Sequence, residues 1–253
     1  MTLELDLLDF ALLAVAGFAS GWMNVLAGGG SMFNVAALLF LGLPGPVANG
    51  TNRIAIIAQC VAAIAEFRRK GFSDFGLSAS LALAASLGAF FGARVGVALE
   101  GEWFERTVAL VMGAVALTMI FDRGAAEDPA RKTAPAKNLL LGHALMVGAG
   151  FWGGFIQIGV GFLQMPILYR VMGLDLVRVN MHKVFIALCF TLVALMVFAA
   201  KVPIAWEAGL ALAMSNAVGG WAGARATMLR GAKFIKYVVL AAIAAVIVKL
   251  ILF

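Results

Sequence analysis

Apolar runs separated by short polar breaks set the pattern of this chain, at residues 10–26, 32–43, 47–66, 75–98, 105–121, 138–158, 162–172, 180–200, 204–225 and 236–252. Most are long enough, at about 17 residues or more, for a helix to cross a bilayer, and none alternates with period two. A chain in lipid must satisfy its backbone internally, and a barrel needs alternating strands, so the runs predict an all-α polytopic membrane protein. Runs 32–43 and 162–172 are too short to cross alone, because such a helix rises only about 17 Å against a hydrocarbon core of about 30 Å. Glycine clusters precede both, Gly28-Gly29-Gly30 and Gly159-Val160-Gly161. Each half is therefore expected to hold broken or half-length helices that meet near the midplane.

The polar stretch 122–137 divides the chain into a first membrane repeat, 1–121, and a second, 138–253, with the stretch itself as a cytoplasmic linker. The two parts match. Gly17 to Gly21 pairs with Gly150 to Gly154, Gly28 to Gly30 with Gly159 to Gly161, and Asn24 with Gln157. From Gly42 onward the spacing is a constant 131, which pairs Gly42 with Gly173, Asn49 with Asn180, and Gly88 to Arg94 with Gly219 to Arg225. Five runs per half form an odd number, so the second half is expected upside down relative to the first, an inverted 5+5 repeat. With both termini outside, this arrangement puts Arg68, Arg69, Lys70, the linker, Arg178, Arg230 and Lys233 on the cytoplasmic side, as the positive-inside rule asks. Lys201 is the main exception.

Composition narrows the classes. Hydrophobic residues make up 63% of the 253 positions and charged residues 13%, which no water-soluble domain of this length shows. The formal charge of +6 sits between apolar runs rather than on one face, so it marks topology and not nucleic acid. Cys60 and Cys189 lie inside apolar runs without metal or redox spacing, and read as packing residues. The first turn carries Glu4, Asp6 and Asp9 in place of a basic leader region, so no removable signal peptide is expected. No cofactor or metal ligand set is visible.

Candidate chemistry gathers at the breaks and just after them. Helices that start at a break expose backbone N–H groups, whose positive dipole ends favour an anion. Gly28, Gly29, Gly30, Gly159 and Gly161 sit at these breaks, whereas the small-xxx-small pairs elsewhere read as close helix packing. The third run of each half opens on a polar cluster, Asn49-Gly50-Thr51-Asn52-Arg53 and Asn180-Met181-His182-Lys183. One reading makes these helix caps with cations that snorkel to head groups. The other makes them an anion site, with Arg53 and Lys183 supplying charge and Asn49, Thr51, Asn52, Asn180 and His182 supplying hydrogen bonds. Asn24 and Gln157 are further candidates. Gln59, Gln164 and Asn34 rank below them as interhelical hydrogen bonds, and Arg94 and Arg225 read either as gates at the two mouths or as snorkelling residues.

These motifs resemble the sulfite exporter TauE/SafE family of membrane permeases: the glycine cluster before a short segment, Gly42-Leu43-Pro44 leading to Ala48-Asn49-Gly50-Thr51-Asn52, Arg68-Arg69-Lys70-Gly71, and the glycine-rich stretch at 150–162. The resemblance covers nearly the whole chain. It implies transport of sulfur-containing anions such as sulfite, sulfoacetate or other organosulfonates without ATP hydrolysis. Two departures stand out: Met181-His182-Lys183 replaces a common Gly-Thr-Ser, and Asn52 replaces a Ser. Both add charge or hydrogen-bonding capacity at the candidate site.

The expected function is thus a secondary transporter, an exporter of small sulfur-containing anions in a bacterial-type inner membrane, with a passive anion channel as the alternative. Proton coupling through His182 is an open possibility. An enzyme is not expected, since there is no HExxH, no Ser/His pair and no paired Asp within a run.

Overall fold

The computed structural model describes residues 5–72, 74–98, 106 and 134–252. Among these the chain is helical: α1 (Leu7–Leu26), α2 (Ser31–Phe40), α3 (Gly45–Arg69), α4 (Phe75–Gly96), α5 (Leu139–Phe155), α6 (Val160–Pro166), α7 (Leu176–Ala199) and α8 (Trp206–Leu252). Pro166 cannot donate to the helix ladder, and α6 widens there into a π-turn over Ile167–Val171. Gly231, with φ 67° and ψ -169°, is not helical, so α8 is two helical stretches joined at a break, in keeping with two separate apolar runs. The expected run 105–121 lies outside the described residues apart from Arg106, as does the linker before residue 134.

α1, α3, α4 and α7 are each long and apolar enough to cross a membrane, while α2 and α5 are shorter. Their outward faces are apolar: Leu140 is 87% exposed and Leu83 75%, a surface suited to lipid and not to water. The polar side chains turn inward instead, with Asn34, Asn49, Asn52, Arg53, Gln164, Asn180, His182 and Asn216 fully buried.

Close backbone crossings set the helix directions. α1 runs alongside α8, with Gly17 against Ser215, Gly21 against Asn216, and Gly223 against Trp22 and Val25. α5 runs in the same manner alongside α4, with Gly150 against Ala85, Gly154 against Ala89, and Gly96 against Phe155. α3 is parallel to α8, since Thr51 meets Gly209 and Gln59 meets Gly220; α7 is parallel to α4, since His182 meets Ser78 and Phe198 meets Gly96. α3 and α7 cross in opposite senses, with Arg53 at Phe198 but Gln59 beside Lys183. Thus α1, α3 and the first part of α8 point one way, and α4, α5 and α7 the other.

One end of this bundle is basic. It gathers Arg68 and Arg69 from α3, Lys70 just beyond its end, Arg178 from α7 and Arg230 from α8. Arg94 and Lys201 lie toward the opposite end.

Candidate functional site

The first helix of each half stops inside the bundle, where backbone groups have no water to turn to. α1 ends because Gly28 takes a left-handed φ of 87°, which lets the amides of Ala27 and Gly28 both donate to the Met23 carbonyl. α5 ends likewise, with Ile156 and Gln157 donating to Trp152, but here a non-glycine holds the left-handed φ of 67°. Gln157 tolerates it because its side chain is fixed on both sides. Its Oε1 accepts from Arg53 Nη1 at 2.7 Å, and its Nε2 donates to Thr191 Oγ1 at 2.8 Å. The two breaks touch each other: a Cβ on Gly28 would overlap Gly161, and one on Gly161 would overlap Gly28.

A helix leaves its last carbonyls unpaired. Here each set is covered by the other half. Asn49 Nδ2 donates to the carbonyl of Phe155, the last residue of α5, at 2.7 Å, and Arg53 donates to Gly153 at 3.1 Å and Gly154 at 2.5 Å. In the opposite half Asn180 Nδ2 reaches the carbonyl of Leu26, the last residue of α1, at 3.5 Å, and Lys183 Nζ donates to Val25 at 2.9 Å. Each cation therefore rests on the negative end of a helix dipole. Of the N–H groups at the breaks, those of Phe33, Val160, Gly161 and Phe162 are taken by nearby carbonyls. Arg53 and Lys183 add positive charge beside the breaks.

Packing matches α1 to α5 in a different register from the sequence pairing of Gly17 with Gly150. Gly219 lies on Phe18 and Trp22, and its mate Gly88 lies on Val147 and Phe151. Trp22 thus answers Phe151, one helical turn from the alignment that pairs Gly17 with Gly150. By this register Asn24 answers Gly153, and Gly28 answers Gln157. Asn24 and Gln157 are not counterparts, yet both line the same cavity.

That cavity, about 20 Å³, lies between the breaks and is lined by polar Asn24, Gln59, Gln157, Gln164 and Lys183 together with Ile56, Val160 and Val184. It has room for about one water and is too small for a sulfur oxyanion. Asn24 Nδ2 donates to Gln59 Oε1 at 3.1 Å, while Gln164 Oε1 is buried with no partner. Gln59 and Gln164, ranked low from sequence, are wall residues of the cavity.

A family model for the sulfite exporter TauE/SafE matches residues 13–250. The chain belongs to the sulfite exporter TauE/SafE family. It is similar to the probable membrane transporter protein ORF9 of Sinorhizobium sp, 26% identical over 89% of this chain and 86% of that one. A probable membrane transporter protein of Haemophilus influenzae is 23% identical over 93% and 91%, and YfcA of Escherichia coli K12, also a probable membrane transporter protein, 21% over 86% and 80%. No solved structure matches the chain. Family and relatives are membrane transporters, not enzymes.

In this TauE/SafE protein the remaining candidates stand apart from the cavity. Thr51 Oγ1 accepts from the Ala205 amide at 3.1 Å and holds the start of α8. Its repeat mate His182 occupies the equivalent contact at the basic end, with Nδ1 2.8 Å from Ser78 Oγ and Nε2 3.6 Å from Asp74, which Arg178 also pairs at 3.2 Å. Asn52 accepts from Asn34 at 2.9 Å. Arg94 and Arg225 are exposed, stacked 4.4 Å over Phe90 and 5.4 Å over Trp221, one turn back on their own helices.

Proposed function

We propose that this protein is a secondary transporter that exports small sulfur-containing anions such as sulfite or organosulfonates, sulfoacetate among the candidates, by alternating access around the cavity between the breaks. The observation that carries the reading is the exchange of caps: each half closes the broken helix of the other, and a polar, cation-bearing hollow is left where the breaks meet. Counterpart helices α1 and α5, α3 and α7, and α4 and α8 point in opposite directions, which supports an inverted repeat whose halves rock about that hollow. The basic end, with Arg68, Arg69, Lys70, Arg178 and Arg230, then faces the cytoplasm of an inner membrane, and the N-terminus lies outside.

The test is flux in proteoliposomes loaded with labelled sulfite or sulfoacetate. A carrier gives flux that saturates with substrate and accelerates when unlabelled substrate is present on the far side. Flux that rises linearly with concentration, with no such exchange, overturns the reading in favour of a channel.

A further inference from the structure

We propose that a groove on the outer face of α3 and α7, at the basic end of the bundle, binds an anionic phospholipid, with its phosphate on Arg68 and an acyl chain laid along α3. The site is separate from the cavity between the breaks, and its test reads binding rather than flux.

The groove has a volume of about 630 Å³ and is lined by Val61, Ile64, Ala65, Arg68 and Arg69 of α3 with Leu188 of α7. Positions 61, 64, 65 and 68 fall on one face of a helix, so the lining passes from apolar to cationic along a single stripe of about 10 Å. Acyl chain and head group follow each other in the same order in a phospholipid leaflet. Val61 is 53% exposed, and Ala65 and Arg68 are exposed, so the stripe is open to a ligand. The two cations are not equivalent. Arg69 pairs with the buried carboxylate of Glu66 at 2.9 Å, which offsets its charge, whereas Arg68 has no partner among the described residues. A guanidinium without a partner offers a bidentate grip on phosphate.

The other half supplies a comparison. The spacing of 131 pairs Val61, Ile64 and Ala65 with Leu192, Leu195 and Met196, so the apolar part of the stripe recurs, but it pairs Arg68 and Arg69 with Ala199 and Ala200. Contact with acyl chains accounts for the apolar part in both halves; the charge at its end belongs to one. The positive-inside rule asks for basic residues at this end, which Lys70, Arg178 and Arg230 also supply, but it does not ask for a groove that leads to them. A second copy of this chain suits the face less well, because a two-fold axis along the membrane normal would set the Arg68 and Arg69 of both copies at one depth, like charge against like. An anionic lipid complements the groove in shape and in charge.

The experiment is native mass spectrometry of the full chain in detergent after equilibration with phosphatidylglycerol or phosphatidylcholine, with and without glycerol 3-phosphate as competitor. Phosphatidylglycerol is expected to be retained about fivefold more than phosphatidylcholine, the scale of one cation's attraction to an anionic membrane surface. Arg68→Gln removes that preference, and Lys201→Gln, at an exposed cation of the opposite end, leaves it intact. Ala65→Trp, which fills the groove without touching a charge, lowers phosphatidylglycerol retention to the level of Arg68→Gln. Equal retention of the two lipids overturns the proposal, as does an Arg68→Gln variant that behaves like Lys201→Gln. A preference that survives Ala65→Trp belongs to surface charge without a groove and overturns it as well. Displacement of the lipid by glycerol 3-phosphate makes the head group alone the ligand, and a dimer that excludes lipid and separates in Ala65→Trp makes the face an interface between copies; either result overturns the lipid site.

Discussion

Asn49 and Asn180 hold equivalent places at the starts of α3 and α7 and do the same work, each donating to the last carbonyl of the other half's broken helix. Beside them the two regions diverge. Arg53 sits one turn beyond Asn49 and covers two carbonyls plus Gln157, whereas Lys183 sits three residues beyond Asn180 and covers one. Thr51 contacts a backbone amide where His182 contacts the side chains of Ser78 and Asp74. The two caps share a geometry and differ in chemistry: Arg53 on the α3 side has both terminal nitrogens committed, and Lys183 on the α7 side lines the cavity with one hydrogen bond made.

Substitutions of the two cations separate these roles most sharply. Arg53→Ala leaves the carbonyls of Gly153 and Gly154 without donors in a dry interior, so a loss of about 3–5 kcal/mol is expected, read as a fall in unfolding temperature of the detergent-solubilised protein. Lys183→Ala removes one hydrogen bond and should lower stability by only about 1–2 kcal/mol. Its loss appears in anion affinity instead, by about 2 kcal/mol or more, near thirtyfold. Equal effects of the two variants on stability and on affinity would erase the distinction.

The meeting of the breaks gives the next effect. Gly28→Ala places a side chain in a left-handed backbone, at about 1–2 kcal/mol, and against the Gly161 backbone as well. Exchange flux should drop by about tenfold or more through failure to close, while Gly42→Ala, equally left-handed but with nothing near its Cβ, should only lower stability. Identical flux in both variants would remove the breaks from the transport cycle.

A smaller effect is expected at the latches. The charged groups facing His182 are Asp74, from the connection before α4, and Arg178 on its own helix. The 3.6 Å approach of His182 Nε2 to Asp74 and the Thr51 bond to Ala205 each hold one end of the bundle, so losing either should shift which end closes. His182→Ala and Thr51→Val should each lower exchange flux, by less than Gly28→Ala does, because each removes contacts at one end only. Arg94→Ala and Arg225→Ala, which remove exposed stacking contacts, should change stability by about 1 kcal/mol or less and leave flux intact.

Helix positions were legible in the sequence because apolar length and glycine clusters mark them directly; most ends of the described helices fall within a few residues of the runs. The clusters at Asn49 to Arg53 and Asn180 to Lys183 were legible as buried polarity after a break. Their partners were not, since these are carbonyls, which every residue has, and only the crossing of α3 over α5 and of α7 over α1 selects them. The register of α1 against α5 differs by one turn between pairing by sequence and pairing by packing because small residues recur there every four positions, so two alignments match almost equally well. Gln59 and Gln164 look like any lone amide in an apolar helix until the breaks are brought together beside them. Thr51 and His182 share polarity with the cluster, but helical rotation points them away from the cavity.

The central claim is that the hollow between the breaks opens to each side in turn. Gln164→Cys, in a background with Cys60 and Cys189 replaced by alanine, puts a thiol on its wall. Labelling by a membrane-impermeant charged thiol reagent is then measured in right-side-out and inside-out vesicles. The account predicts labelling from both sides, slowed from both by bound substrate; labelling from one side alone, or from neither, would contradict it.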